Sequence, residues 1–347
     1  MPAGKTPDCR GGRRKESQDD GAPQTRRWQR RREAPIIRNV RKGRLREHMR
    51  SLIRYLSTPL WHRQHRWRRA IWRTMSRVGL NGLHILPINR QWVEIHRRIM
   101  PLRGLDKSLA DLRIVQISDL HYSPLVRRRY LLQLVGWIND LAADVVVVTG
   151  DLITGGYRFV DGVADILSRI RASRGVVCVL GNHDYGMYGP RWRAEGRRRA
   201  DRLAGELRRS GIVVLRNEQW TVAGTGGRGA LRIVGLDDES SGNLDAETAF
   251  AAVSEDMPVV CLNHNPASCL RLMRYPWQWM LCGHTHGRQV ATTALGRRLY
   301  GHRWRHFTHG YYQLNGRHLY VNRGLSYGRR ALEWCRPEIT FFRTAVA

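Results

Sequence analysis

The sequence predicts an α/β fold, a sheet core with helices outside it. Two observations predict this. From residue 92 onward, short apolar runs alternate with segments of helical periodicity. Five of those runs end directly in Asp, Asn or His. In open α/β sheets the carboxyl ends of the strands line the ligand crevice.

The elements follow in chain order. Residues 112–118 (LRIVQIS) read as a strand and 130–142 as a helix. Residues 145–149 (VVVVT) read as a buried strand, 159–172 as a second helix and 176–180 (VVCVL) as a further strand. A long, very basic helix is expected over 190–210, its charges on a solvated face. Short strands are then expected at 212–215, 220–223, 231–234, 259–262 and 280–282. These late strands lack long helices between them, so the second half is expected to be partly antiparallel. No repeat of solenoid period is present.

The 347 residues include 60 basic and 29 acidic side chains, a net charge of +31. That excludes an acidic solvating chain and favours anionic partners. The excess is uneven, with 26 basic against 7 acidic residues in the first 100. Only Lys5, Lys15, Lys42 and Lys107 are lysines, an Arg bias that genome base composition can produce, so charge alone does not indicate nucleic-acid binding. The six cysteines show no C-x-x-C spacing and read as buried small hydrophobes rather than a disulfide framework.

Residues 1–35 are polar, Gly/Pro-dotted and aperiodic, a basic tail expected to be disordered. Residues 36–91 form a basic extension. Within it Leu52, Ile53, Leu56 and Leu60, then Trp67, Ile71, Met75 and Val78, recur at helical spacing between arginines, and Pro59 divides the two sets. Two readings stay open for 44–78: a helical pair lying on an anionic membrane surface, or one packed on its own catalytic domain. No secretory signal and no apolar run of spanning length is expected; the best uncharged window, 78–89, has 12 residues against the roughly 20 a span needs.

The chemistry sits behind the strands. Asp119 and His121 follow the first, Gly150 and Asp151 the second, and Gly181, Asn182, His183 and Asp184 the third. Asn263 and His264, then Gly283, His284, Thr285 and His286, follow two later ones. Each motif alone is weak; all five in this order, each at a strand end, are specific. Imidazole and carboxylate without thiolate favour Mn, Fe, Zn or Co over a structural zinc site, and the donors suffice for two divalent ions. Asp151 is the carboxylate placed to bridge them. Two ions about 3.5–4 Å apart acidify a bridging water, which as hydroxide attacks phosphorus, and clamp the oxygens of an in-line phosphoryl displacement. His183 would then protonate the leaving group, with Asp184 orienting its imidazole.

The set D-x-H, GD, GNHD, NH and GHTH resembles the calcineurin-like metallophosphoesterase superfamily over about residues 92–343. IVQISDLHYS, LGNHDYG, IVGLDDESSG, the run at 283–290, LYVNRGLSYG and RPEIT are similar to the bacterial YkuE-like branch. The resemblance implies a four-layer αββα sandwich of two mixed sheets over 92–347. It implies a first metal held by Asp119, His121, Asp151 and His286, and a second held by Asp151, Asn182, His264 and His284. His183 is implied as the acid over the leaving group. Two positions depart from the pattern: Thr154 stands where GD-x-x-D has its second Asp, and Arg288 replaces a glycine, beside the site where it could contact a substrate phosphate. The Asp237–Asp238 pair is expected to be structural. His302, His306, His309 and His318 are expected to be surface residues.

For the substrate the resemblance leaves two classes. One is a lipid-linked or nucleotide-sugar pyrophosphate such as UDP-2,3-diacylglucosamine, which similar enzymes split in lipid A synthesis. The other is a soluble phosphomonoester or phosphodiester. Members of the branch often carry an N-terminal membrane anchor, and here the Trp-containing basic segment takes that place. The expected location is therefore cytoplasmic, peripheral at the inner face of the cytoplasmic membrane. A nucleic-acid role for 1–78 is the competing non-enzymatic reading; no nucleic-acid-binding fold signature supports it.

Overall fold

The structure is a computed structural model and describes residues 93–186, 193–288, 307–326 and 336–347. The expectations for 1–35 and 36–91, for Cys9, Cys335, His302 and His306, and for the Arg288 side chain lie outside the described residues. The chain divides into two units, Met1–Gly79 and Leu80–Ala347; every described residue belongs to the second.

Twelve strands occur among the described residues. They are β1 (Glu94–Leu102), β2 (Arg113–Ile117), β3 (Val145–Thr149), β4 (Gly175–Val179), β5 (Val213–Val214), β6 (Glu218–Ala223), β7 (Ala230–Gly235), β8 (Val259–Leu262), β9 (Trp279–Cys282), β10 (Gly310–Leu314), β11 (Arg317–Val321) and β12 (Glu338–Val346). The helices are α1 (Arg128–Asp140), α2 (Val160–Ser168), α3 (Asn182–Tyr185), α4 (Arg193–Arg209) and α5 (Ala246–Phe250). The strands form two six-stranded mixed sheets, ordered β1-β12-β2-β3-β4-β5 and β10-β11-β9-β8-β7-β6. In the first, β2 to β5 run parallel and β12 lies antiparallel to β2. In the second, β7, β8, β9 and β11 run parallel, with antiparallel partners at both edges.

The alternation of side chains builds the layers. Val145 and Val147 of β3 point inward with Ile114, Val177 and Val179, sharing one core with Ile233, Val260, Leu262 and Leu281 of the second sheet. Val146 and Val148 point the other way, against Leu134 and Ile138 of α1, Val163 and Ile166 of α2 and Leu203 and Leu207 of α4. On the far side, Cys261, Met280 and Cys282 pack with Phe250 of α5 and with Cys269 and Leu272 of the 3-10 segment Pro266–Arg274. The result is the expected αββα sandwich. Four described cysteines (178, 261, 269 and 282) are free and buried, as small hydrophobes should be.

Four strands were not expected. β1 mixes Arg97 and Arg98 with exposed Ile95 and Ile99 because it is an edge strand. β12, β10 and β11 close the sheets late in the chain. Here His318 departs from the surface expectation: its ring stacks on Trp279, centroids 4.6 Å apart, and meets the Tyr311 hydroxyl at 2.7 Å. His309 is exposed as expected. Trp279 itself is 1% exposed and donates its indole N–H to the Pro101 carbonyl at 2.9 Å. Trp279→Ala should therefore cost about 3–5 kcal/mol in chemical denaturation.

Candidate metal centre

The five strand ends do converge. Asp119, His121, Asp151 and His286 offer ligand atoms all within 4.8 Å of one another, and so do Asp151, His264 and His284. Asp151 belongs to both groups. His121 Nε2 lies 3.0 Å from His286 Nε2, 3.5 Å from Asp151 Oδ2 and 3.9 Å from Asp119 Oδ1. His264 Nε2 lies 3.2 Å from Asp151 Oδ2 and 3.1 Å from His284 Nδ1.

Local backbone explains how short turns aim these side chains at one point. Nine non-glycine residues among those described have positive φ, and five of them are Asp119, His121, Asp151, His284 and His286. Each such conformation costs about 1–3 kcal/mol and persists where the surroundings over-determine it, typically at a functional site. The glycines before Asn182 and His284 are a matter of space. A Cβ on Gly181 would stand 2.3 Å from Asp151 Oδ1, and one on Gly283 would stand 2.3 Å from Asp119 Oδ2. Backbone N–H groups then fix the carboxylates: His183 N donates to Asp151 Oδ1 at 2.9 Å, and His284 N lies 3.0–3.1 Å from both Asp119 oxygens.

The donor set fits divalent cations. Facing imidazole nitrogens stand 3.0 Å apart in His121 and His286 and 3.1 Å apart in His284 and His264, close enough for each pair to hold one ion between them. Asp151 Oδ2 and Asn182 Oδ1 are buried and accept no hydrogen bond. Burial pushes the His121 imidazole down to about 3 and His284 well below its ordinary value, so both are neutral, the ligating form. Burial also raises Asp119, and the charge of Asp151 adds to it. For His264 burial acts downward but the Asp151 carboxylate prevails and holds it at about 10; Asp151 in turn is held well below the usual carboxylate range. Its Nδ1 donates to the Thr149 carbonyl at 2.7 Å, which turns Nε2 toward Asp151.

His183 stands beside this cluster, its ring edge-on to His121 with centroids 4.6 Å apart. Asp184 does not orient it. Asp184 is fully buried and accepts three backbone N–H groups, from Leu152 (2.9 Å), Ile153 (3.1 Å) and Gly181 (2.9 Å), so it ties the second ligand turn to the third. Burial and then the Asp151 charge raise it to about 8. The group at the His183 ring is the Thr154 carbonyl, 3.1 Å from Nδ1. A carbonyl only accepts, so Nδ1 carries the proton. Thr154 Oγ1 also donates to the His121 carbonyl at 3.2 Å. Residue 154, which the sequence marked only as a departure from GD-x-x-D, thus meets the His183 ring through its backbone. Asp237 is structural as expected, accepting from the Tyr185 hydroxyl at 2.7 and 2.8 Å and from Arg216 Nε at 3.0 Å. The backbone of Arg288 ends the turn His286–Arg288.

This fold and this paired donor cluster define a metal-dependent hydrolase of phosphoric ester or pyrophosphate bonds, using two divalent ions. The chain belongs to the calcineurin-like phosphoesterase family, whose model matches residues 112–288. It is 34% identical over 233 residues to a Bacillus subtilis protein described as the uncharacterized metallophosphoesterase YkuE, covering 66% of this chain and 78% of that protein. It is 29% identical to the Escherichia coli phosphodiesterase YaeI, over 72% of this chain and 87% of the relative. It is 27% identical to the UDP-2,3-diacylglucosamine pyrophosphatase LpxG of Chlamydia trachomatis, over 68% and 84% respectively.

Proposed function

We propose that the chain hydrolyses a lipid-linked pyrophosphate of the UDP-2,3-diacylglucosamine type, with Asp119, His121, Asp151 and His286 holding one ion and Asp151, Asn182, His264 and His284 the other. The observation that carries the two-ion assignment is that Asp151 supplies an atom to both donor groups. The ions, when bound, lower the pKa of water and neutralise charge on the phosphoryl oxygens. The residues do the rest. Asp151 sets the spacing of the two groups, and His264 is held for its ligand role by the Thr149 carbonyl. The Thr154 carbonyl holds His183 Nδ1–H, so proton transfer to a leaving-group oxygen would run through Nε2. Arg288, the last residue of the His286–Arg288 turn, would meet a phosphate oxygen of the substrate.

The substrate class draws its support from the relative named as a pyrophosphatase. A second reading, a phosphodiesterase on a soluble substrate, is favoured by the relative named as a phosphodiesterase. A panel containing UDP-2,3-diacylglucosamine and bis-p-nitrophenyl phosphate separates them. The first reading expects kcat/KM on the lipid pyrophosphate to exceed that on the diester by orders of magnitude; the reverse order would overturn it.

We also assign residues 44–78 to contact with an anionic membrane at the inner face of the cytoplasmic membrane, and 92–347 to catalysis. No described helix is long and apolar enough to cross a membrane. Arginine near an anionic leaflet contributes about 1 kcal/mol each, so several suffice to hold a protein at the surface. The full chain should sediment with phosphatidylserine vesicles at low salt and be released at 1 M salt, where the Debye length is about 3 Å. A chain that ignores such vesicles at low salt would contradict the assignment.

A further inference from the structure

The family match ends at residue 288, yet the chain returns to the metal cluster after it. β11 runs into residues 322–326, and this short loop packs against two of the proposed ligands. Leu325 N donates to the Ser118 carbonyl at 2.8 Å and Ser326 N to the Asp119 carbonyl at 2.9 Å. Ser326 Oγ lies 3.5 Å from His286 Nδ1. Gly324 has φ +75°, and a Cβ there would stand 2.5 Å from Asp119 Cβ and 3.2 Å from Oδ2. Asp119 itself has φ 51°. It is held on one side by its N–H bond to the Gly150 carbonyl, 3.0 Å, and on the other by this loop.

The loop is in turn held from behind. Asn322 Oδ1 accepts from Gly324 N at 2.7 Å, and Asn322 Nδ2 donates to Thr340 Oγ1 of β12 at 2.9 Å. The buried Arg323 guanidinium donates from Nε to Glu338 Oε2 at 2.6 Å and from Nη2 to Glu94 Oε2 at 2.8 Å. Glu338 is 1% exposed and also accepts from the Tyr320 hydroxyl, 2.5 Å, and Thr340 Oγ1, 2.8 Å. Glu94 opens β1 and Glu338 opens β12, the parallel pair at the edge of the first sheet. A buried ion pair is weak evidence for stability, because desolvation offsets the attraction. What it supplies is a fixed geometry, and here that geometry is passed to Asp119.

We propose, on the ligand assignment above, that residues 322–326 are a positioning element for the ion site of Asp119, His121, Asp151 and His286, with Arg323 as the positioning residue that pins the loop through Glu338 to the first and last strands. The ligands this loop touches, Asp119 and His286, both serve that site; the site of Asn182, His264 and His284 meets Asp119 through the His284 backbone N–H, 3.0–3.1 Å from its carboxylate oxygens. The two sites should therefore respond differently.

The test measures Mn(II) binding by the full-length, metal-stripped protein, counting free Mn(II) by electron paramagnetic resonance. The variants are Gly324→Ala, Arg323→Gln and Ser326→Ala. Gly316→Ala is the matched control: Gly316 has φ +77°, and a Cβ there meets nothing within 4 Å. Outer partners of metal ligands typically change affinity by about 10–100-fold. Gly324→Ala and Arg323→Gln should weaken one Mn(II) site by that factor and the other by markedly less, while Gly316→Ala leaves both unchanged. Ser326→Ala, a minimal change, should weaken the same single site several-fold, and it carries the test if Arg323→Gln fails to fold by circular dichroism. Two wild-type sites in both Gly324→Ala and Ser326→Ala would overturn the proposal. So would equal weakening of both sites in Gly324→Ala, or weakening of either site in the Gly316→Ala control. A wild-type chain that binds no Mn(II) would overturn the ligand assignment itself, a different failure.

Discussion

Asp151→Ala is expected to abolish hydrolysis more completely than any other single ligand substitution. The loss should be about 10³-fold or more, because metal stabilisation of a phosphoryl transition state is worth several kcal/mol and each 1.4 kcal/mol is tenfold. The reason is positional. Asp151 contributes to both donor groups, whereas Asp119, His121 and His286 serve one and His264 and His284 the other. Its second oxygen accepts the His183 N–H at 2.9 Å, so the substitution also loosens the turn that carries Asn182 and His183. Metal analysis should show occupancy falling at both sites. His284→Ala, by contrast, should lower one occupancy and leave the other. An Asp151→Ala protein with two ions and near-normal turnover would refute the bridging role.

His183→Ala should keep both ions and lose about 10²–10⁴ in kcat, the range for a positioned general acid. Metal retention is expected because His183 lies outside both donor groups, its ring meeting His121 edge-on. The loss should shrink for p-nitrophenyl esters, whose leaving group needs no proton, and be largest for alkyl esters. An equal loss on both would replace proton donation with charge stabilisation. The Thr154 carbonyl makes a further distinction. Thr154→Ala leaves that carbonyl in place, so the variant should retain the His183 proton function that a side-chain role for residue 154 would have removed.

The parts of the molecule legible in the sequence are those where burial and chemistry coincide. The limits of β3 and β8 are plain from sequence, because a run such as VVVVT can only be buried on both faces. The proposed ligands are legible because each lies within four residues of the end of such a run. β1 is not, since an edge strand needs only one buried face and its Arg97, Arg98, Ile95 and Ile99 blur the period-2 pattern. β10 and β11 carry a legible signal that the strand reading passes over: Asn315 and Gly316, both at positive φ, form a two-residue hairpin turn between GYYQL and RHLYV. Adjacency in sequence suggests that Asp184 serves His183. In space the turn points Asp184 inward to three backbone N–H groups and His183 outward. The roles of Thr154, through its carbonyl, and of residues 322–326, through N–H groups and a missing Cβ, are carried by backbone. The sequence marks such residues, as Gly324 within LYVNRGLSYG, but the partner each backbone group meets is fixed only when the chain is folded.

We propose that hydrolysis of phosphoric ester or pyrophosphate bonds runs at a paired-ion site centred on Asp151. A titration of the metal-stripped full-length protein with Mn(II), following bound metal and hydrolysis of bis-p-nitrophenyl phosphate in the same samples, measures this. Binding should saturate near two ions per chain, with hydrolysis absent at the start and complete only as the second ion binds. Hydrolysis that persists in excess chelator, or that reaches its maximum with no metal bound, would contradict it.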